Sequence, residues 1–313
     1  MNKQNSEATE TIILAVDNGN GNMKTENTVF RTGIEFYNTE PIISKDYMRL
    51  GDKYFIVGES HMIYHADKTD NDDSYYLTAA AIVRELEYRG IDSARIHLVV
   101  GLPLSWCSAE RKKELKEYYL KKPLMDVEYK QIRYHIELVE VDVLPQGVSA
   151  ICGRYSLKGI NMLVDIGNGT INTMQIVDGV PKENTVKTVR TGVGVCMKEI
   201  LNEVSRIYCD DVSEEAIEPL LRNGCRNDSG KLAKIVRSIA ERYAKNVMDI
   251  IVDNGFREGI VRLYVIGGGG CILKHFSDIE KLEGVMFIDD ICANAKGYAF
   301  LTKQKIMSQH KGE

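Results

Sequence analysis

IILAVDNGNGNMK (residues 12–24) and MLVDIGNGTIN (residues 162–172) are two copies of one phrase. In each, an apolar run closes on an aspartate, Asp17 or Asp165, and a glycine turn follows, with Gly19 and Gly21 in the first and Gly167 and Gly169 in the second. A short apolar run bounded by turn residues reads as a buried strand. One D-x-G-x-G is as well explained by an ordinary strand-turn-strand hairpin. Two matched copies, 148 positions apart, point instead to two similar halves. Glycines let a backbone approach phosphate closely, and successive backbone N–H groups in such turns make hollows for anions. The expectation is a clamp for a phosphate chain. Asp17 and Asp165 would hold the waters of a Mg²⁺ ion, which seldom has an all-protein cage. Lys24 would bring one positive charge to the outer phosphates.

Other nucleotide motifs fit poorly. Three G-x-G triplets exist (Gly19/Gly21, Gly167/Gly169, Gly192/Gly194), but the last position of G-x-G-x-x-G holds Lys24, Asn172 or Met197. No G-x-x-x-x-G-K-[ST] occurs, so the Rossmann and P-loop readings fail together. Gly267-Gly268-Gly269-Gly270 follows a strand-like LYVI and precedes helical sequence. It reads either as a rest for a nucleoside or as a tight strand-helix junction. In LPQGVSAI (144–151), Gln146 either orients a water or is a solvated residue at a helix start.

The chain has 313 residues, room for two domains and a substantial core. It is 44% hydrophobic and 27% charged, the composition of a globular protein. A net charge of −5 gives no electrostatic reason for direct DNA contact. Seven cysteines, odd in number and without a C-x-x-C pair, argue against zinc or a disulfide framework and for a reducing cytoplasm. The polar start MNKQNSEATET lacks the apolar centre of a signal peptide, and no run reaches membrane-span length. His61 and His65 lack the Glu of H-E-x-x-H, and the acidic run 67–73 lacks the glycine and terminal Glu of a calcium loop.

The first ten residues read as a disordered tail. Strands are expected at 11–17, as two more within 22–36, as short pieces within 41–66, and at 95–101 and 126–143. Helices are expected from the capping residues near 74 to Gly90, with Leu77, Ile82, Val83 and Leu86 on one apolar face, and at 108–121. LPQGVSAI should end a strand and start a helix. The second half restarts with strands at 161–166 and 171–177 and helices at 194–208, 212–222 and 230–254. A strand at 263–266, a short one at 285–288 and a last helix at about 291–307 complete it.

The order of these segments resembles the actin-like ATPase superfamily, and within it the bacterial plasmid-segregation filament proteins of the ParM type. VDNGNGNMK (16–24) and LVDIGNGTINTMQI (163–176) look like its two phosphate loops. LPQGVSAI and ANAKGYAF (293–300) look like its two connecting segments, and VIGGGG (265–270) like its adenosine segment. The resemblance spans about residues 11–303. It implies an α/β, two-lobed, ribonuclease H-like fold with ATP or GTP and Mg²⁺ in the interlobe cleft. The first lobe would be 1–158 plus 290–313, with a smaller insert at about 31–95. The second would be 159–289, with a helical insert at about 205–250.

The resemblance also implies roles. Gln146, Asp17 and Asp165 would be catalytic, with the two aspartates on the metal. Asn18, Gly19, Asn20, Gly21, Asn22, Lys24, Gly167, Asn168, Gly169 and Thr170 would contact phosphate. Gly192, Gly194, Lys198, Glu199 and Gly267–Gly270 would lie by ribose and purine. Asn168 departs from the commoner D-[IL]-G-G-G-T form. The implied function is a cytoplasmic ATPase that polymerises head to tail and moves plasmid DNA through an adaptor protein bound at a centromere-like site, without touching DNA or membrane itself. A small-molecule kinase on the same fold, and a scaffold that does not hydrolyse nucleotide, are the alternatives.

Overall fold

The computed structural model describes residues 10–42, 46–58, 72–152, 158–226 and 228–310. The readings made above for the first nine residues, for His61 and His65 and for most of the acidic run 67–73 lie outside these residues. The described residues form two compact units, one made of those up to Cys152 together with those from Cys292 on, the other of those between.

In the first unit, β1 (Thr11–Asn18), β2 (Asn22–Lys24) and β3 (Val29–Arg31) form an antiparallel meander. Three short strands follow: β4 (Ile34–Tyr37), β5 (Tyr47–Leu50) and β6 (Lys53–Val57). Then come α1 (Asp73–Arg89), β7 (Ser93–Leu102), α2 (Ala109–Leu120), β8 (Leu124–Tyr129) and β9 (Ile132–Pro145). The sheet order is β3-β2-β1-β7-β9-β8-β5-β6-β4, with β1, β7 and β9 parallel at its centre. Alternate residues of the central strands face opposite sides, as the pleat requires. Leu14, Val16, Leu98 and Val100 join the core shared with α1 and α2. Ala15 and Val99 meet the closing helix α7 (Ala293–His310) on the other face.

The second unit repeats the plan. It contains β10 (Ile160–Ile166), β11 (Ile171–Val177), β12 (Val180–Val189), α3 (Val193–Tyr208), α4 (Glu214–Arg222), α5 (Lys231–Asp253), β13 (Val261–Ile266), α6 (Gly270–Phe276) and β14 (Val285–Phe287). The order β12-β11-β10-β13-β14 matches β3-β2-β1-β7-β9 strand for strand, antiparallel and parallel pairings included. The sequence repeat is therefore a repeat of topology. Met162, Val164 and Ile166 anchor β10 to the helices of this unit.

Some elements differ from expectation. Residues 22–36 hold β2, β3 and the start of β4 rather than two strands. β12 was not foreseen, because its VPKENTVKTV is mostly polar and half-exposed at a sheet edge. α1 is buried on nearly every side, Ser74 through Leu86 except Arg84, rather than on one stripe. Its first residue is preceded by Asp72, whose side chain makes no capping bond. LPQGVSAI delivers a single 3₁₀ turn at Ser149–Ile151. No helix among the described residues is long and apolar enough to cross a membrane.

Candidate functional site

The first loop joins β1 to β2, with Asp17 opposite Lys24 in the register. The Gly19 N–H donates to the Asn22 carbonyl at 3.2 Å and closes the turn. Thr32, which the sequence did not single out, holds the loop from behind. Its hydroxyl donates to the carbonyls of Asn20 (2.9 Å) and Gly21 (3.3 Å), and its N–H donates to Gly21 (3.2 Å).

The second loop joins β10 to β11, with Asp165 opposite Asn172. Gly167 N–H donates to the Thr170 carbonyl at 2.9 Å, the same closure one repeat later. Here the start of α3 does the work of Thr32. The N–H groups of Gly192, Val193 and Gly194 donate to the carbonyls of Gly169 (3.3 Å), Gly167 (3.0 Å) and Asn168 (2.9 Å). In a planar trans peptide the C=O and the following N–H point in opposite directions. Three successive carbonyls drawn toward α3 therefore turn the N–H groups of Asn168, Gly169 and Thr170 away from it. The same argument turns the Asn22 N–H group away from Thr32. In both loops the backing element draws carbonyls to its own side of the turn.

Asp17 is 2% exposed and its carboxylate is surrounded by donors. Lys24 Nζ lies 3.1 Å from Oδ2, Gln146 Nε2 lies 3.0 Å from Oδ1, and Asn294 Nδ2 lies 3.5 Å from Oδ2. Asp17, Lys24 and Gln146 are thus brought together. Asn294 joins them unforeseen, its only sequence signal being its place in the second connecting segment. Asn18 is not part of this group through its side chain. Its amide is buried and donates to Ser74 Oγ at 2.7 Å, in a polar chain with Tyr119 and Thr78 that ties the loop to α1 and α2.

The predicted nucleoside positions divide. Gly192 and Gly194 form the backing of the second loop. A Cβ on Gly192 would lie 2.3 Å from the Asn168 carbonyl oxygen. Gly267 and Gly269 sit against the end of β10, where their Cβ atoms would lie 2.6 Å from Asp165 Oδ1 and 2.2 Å from Ile166 Cγ2. Gly268 meets nothing within 4 Å, and Gly270 has only ordinary contacts. The tight strand-helix junction thus accounts for Gly267 and Gly269, leaving Gly268 open. Lys198 and Glu199 are exposed on α3, and Glu199 pairs with Arg242 of α5.

Asp17, Gly101–Leu102 and Gln146 all lie at the carboxyl ends of parallel strands β1, β7 and β9. Asp165 and Gly267 lie at those of β10 and β13. That end of an α/β sheet is where ligands bind. Elsewhere, His97, Glu140 and Asp142 come close enough among the described residues to share a metal. Lys305, however, already lies 3.1 Å from Asp142, and His97 faces a carboxylate on each side, so the group reads as a polar network in which the Lys305–Asp142 pair holds α7.

A sheet repeated in two units, each with a β-hairpin loop after an aspartate, defines the class: the chain has the actin-like fold. The family profile described as Actin like proteins N terminal domain matches residues 15–148. No curated protein sequence matches the chain. The crystal structure of the actin-like protein Alp7A is 13% identical, with a TM-score of 0.75 over 96% of this chain and 98% of that one. ParM of Bacillus thuringiensis with ATP is 14% identical, with a TM-score of 0.72 over 96% of this chain and 99% of that one. A 15-stranded ParM filament from Clostridium botulinum is 18% identical, with a TM-score of 0.74 over 95% of this chain and 100% of the other.

Proposed function

We propose that the chain binds a nucleoside triphosphate with Mg²⁺ through its two matched loops, hydrolyses it, and assembles head to tail into filaments. In this reading the filaments move plasmid DNA in the cytoplasm through an adaptor protein. The observation that carries it is the shared construction of the loops: an aspartate at a strand end, then carbonyls drawn back so that peptide N–H groups face outward. Phosphate oxygens only accept, and each bond from such a donor contributes about 1.5–3 kcal/mol. The half-buried, accessible state of Gly167–Thr170 suits a ligand there.

Asp17 and Asp165 are the residues that would hold Mg²⁺, through its waters, and when bound the ion neutralises phosphate charge. Lys24 would exchange Asp17 for a phosphate oxygen when a triphosphate is bound. Gln146 has its amide orientation set by chemistry. A carboxylate only accepts, so the NH₂ half faces Asp17 and Oε1 faces away. Oε1 then accepts from a water and aligns it for in-line attack on the γ-phosphorus. By analogy with other single polar groups acting on a transition state, the contribution is about 10²–10³ in rate.

The neighbours support the class. The Bacillus thuringiensis ParM carries ATP, and the Clostridium botulinum ParM is a filament. The net charge of −5 agrees with an adaptor between chain and DNA.

The test is light scattering and phosphate release after Mg·ATP is added. Wild type should scatter and release phosphate. Gln146→Ala should bind ATP and release phosphate about 10²–10³ more slowly. Asp165→Ala should lose Mg²⁺-dependent turnover. Calorimetry showing no triphosphate uptake with Mg²⁺ would overturn the reading, and turnover that needs an added hydroxyl substrate would make the chain a kinase.

A further inference from the structure

We propose that Asn294 is a positioning residue for hydrolysis, locking Asp17 and the Gln146–Gly147 peptide into the arrangement that aims Gln146. The inference rests on the ATPase reading above. Asn294 Oδ1 accepts from the Gly147 N–H at 2.8 Å, and its Nδ2 faces Asp17 Oδ2 at 3.5 Å. The second contact is long, of the kind that tightens when a site fills. The amide has one workable orientation, because the Gly147 N–H only donates and the carboxylate only accepts. A closed ring results. Asp17 accepts from Gln146, the Gln146 peptide continues to Gly147, Gly147 donates to Asn294, and Asn294 returns to Asp17. One carboxylate thereby fixes two amides, and Gln146 is held at both its side chain and its following peptide.

Asn294 spends its side chain on this ring rather than on its own helix. It lies in the first turn of α7, two residues past Cys292, where the chain re-enters the first unit. A helix-capping amide would accept from its own helix's N–H groups; this one accepts from another segment. The seat of α7 leaves no slack. A Cβ on Gly297 would lie 2.0 Å from the Ser149 carbonyl oxygen, so the two connecting segments touch backbone to backbone. Tyr298, fully buried, has its Oη 2.0 Å from where a Gly101 Cβ would be, and Gln146 Cγ lies 3.0 Å from the same point. Asn294 and Tyr298, one turn apart on α7, thus both bear on the Gln146 segment. A displacement of α7 would move Gln146.

The test is single-turnover phosphate release by the full chain, with affinity for a non-hydrolysable ATP analogue measured alongside. Asn294→Ala should slow release about tenfold while the analogue's affinity changes less than about twofold, the signature of an interaction acting on the transition state alone. Added to Gln146→Ala, it should cost almost nothing further, since residues acting as a unit are not additive. Asn294→Asp keeps the acceptor for Gly147 but loses the donor to Asp17, so it too should slow release about tenfold. A fold element alone would give losses that multiply in the double variant and a matching loss of affinity; that pattern overturns the inference. A wild type that binds ATP without hydrolysing it overturns the functional reading and this inference with it. Hydrolysis by Asn294→Ala at the wild-type rate overturns the inference alone.

Discussion

Lys24 stands opposite Asp17 across the β1–β2 register, and its ammonium nitrogen lies 3.1 Å from Asp17 Oδ2. The carboxylate is almost wholly buried, so the pair compensates a charge that water does not reach. Gln146 and Asn294 supply neutral donors only. Lys24→Met should therefore lower stability by about 3 kcal/mol, since a buried charge loses its counter-ion. Adding Asp17→Asn should recover most of that loss, because no charge is then left uncompensated. Urea denaturation of the three proteins without nucleotide decides it. A double variant less stable than Lys24→Met would show that the charge pair is not what the site relies on.

The second loop carries no lysine at the equivalent place; Asn172 occupies it. Its orientation depends instead on the N–H groups of residues 192–194. Gly192→Ala would push a methyl group within 2.3 Å of the Asn168 carbonyl oxygen, whereas Gly194→Ala would approach the same oxygen only to 3.1 Å. Overpacking of the first kind costs about 1–3 kcal/mol and shifts backbone. If the second loop holds phosphate as proposed, Gly192→Ala should weaken binding of a non-hydrolysable ATP analogue about tenfold or more, with Gly194→Ala milder. Calorimetry on the two variants gives the comparison. Equal affinities would sink the idea that α3 aims this loop.

The four consecutive glycines invite a split experiment. Gly269→Ala would drive a methyl group into Ile166 and Val193, with contacts of 2.2 and 2.7 Å. Gly268→Ala meets nothing. Gly269→Ala should lower the melting temperature, by about 1–3 kcal/mol of stability. Gly268→Ala should stay within about 0.5 kcal/mol. If a nucleoside rests on this loop, Gly268→Val should weaken nucleotide binding while melting stays as in wild type. Unchanged binding would remove Gly268 from the site and leave the run as a packing device.

The legible parts of this molecule were those fixed locally. An apolar run closed by Asp17 or Asp165 and glycine needs no tertiary information to read as strand and turn, and β1, β7, β10 and β13 emerged on that ground. The duplicated phrase carried further, because matched topology follows matched sequence. Illegible features depend on partners distant in the chain. Thr32 looks like any polar residue until its hydroxyl meets the Asn20 and Gly21 carbonyls. Asn18 looks like a loop ligand until Ser74, 56 residues away, takes its amide. Asn294 acquires meaning only through Gly147 and Asp17, which lie 147 and 277 residues before it. β12 failed to signal because an edge strand need not alternate in hydrophobicity.

Glu85 on α1 fixes the turn that follows Lys24, and its titration provides a test by pH. The carboxylate is fully buried and accepts from Thr25 Oγ1, from the N–H and side-chain amide of Asn27, and from Arg89 Nε. Burial alone would raise its pKa, but the bonds from Thr25, Asn27 and Arg89 together outweigh burial and hold it below the ordinary glutamate value. A pKa lowered on folding contributes stability that is fully present above the unfolded value and is lost as pH falls through the folded one. Glu85→Gln should therefore destabilise the protein by about 2 kcal/mol at neutral pH, the scale of hydrogen bonds to a charged group. The gap between wild type and variant should hold down to about pH 5 and narrow below pH 4.5, the ordinary value, as the wild-type carboxylate takes up its proton. Urea denaturation from about pH 3.5 to 8 measures the gap directly. A difference that stays constant through the acid range would mean that shape, rather than charge, is what Glu85 supplies beneath the first glycine loop.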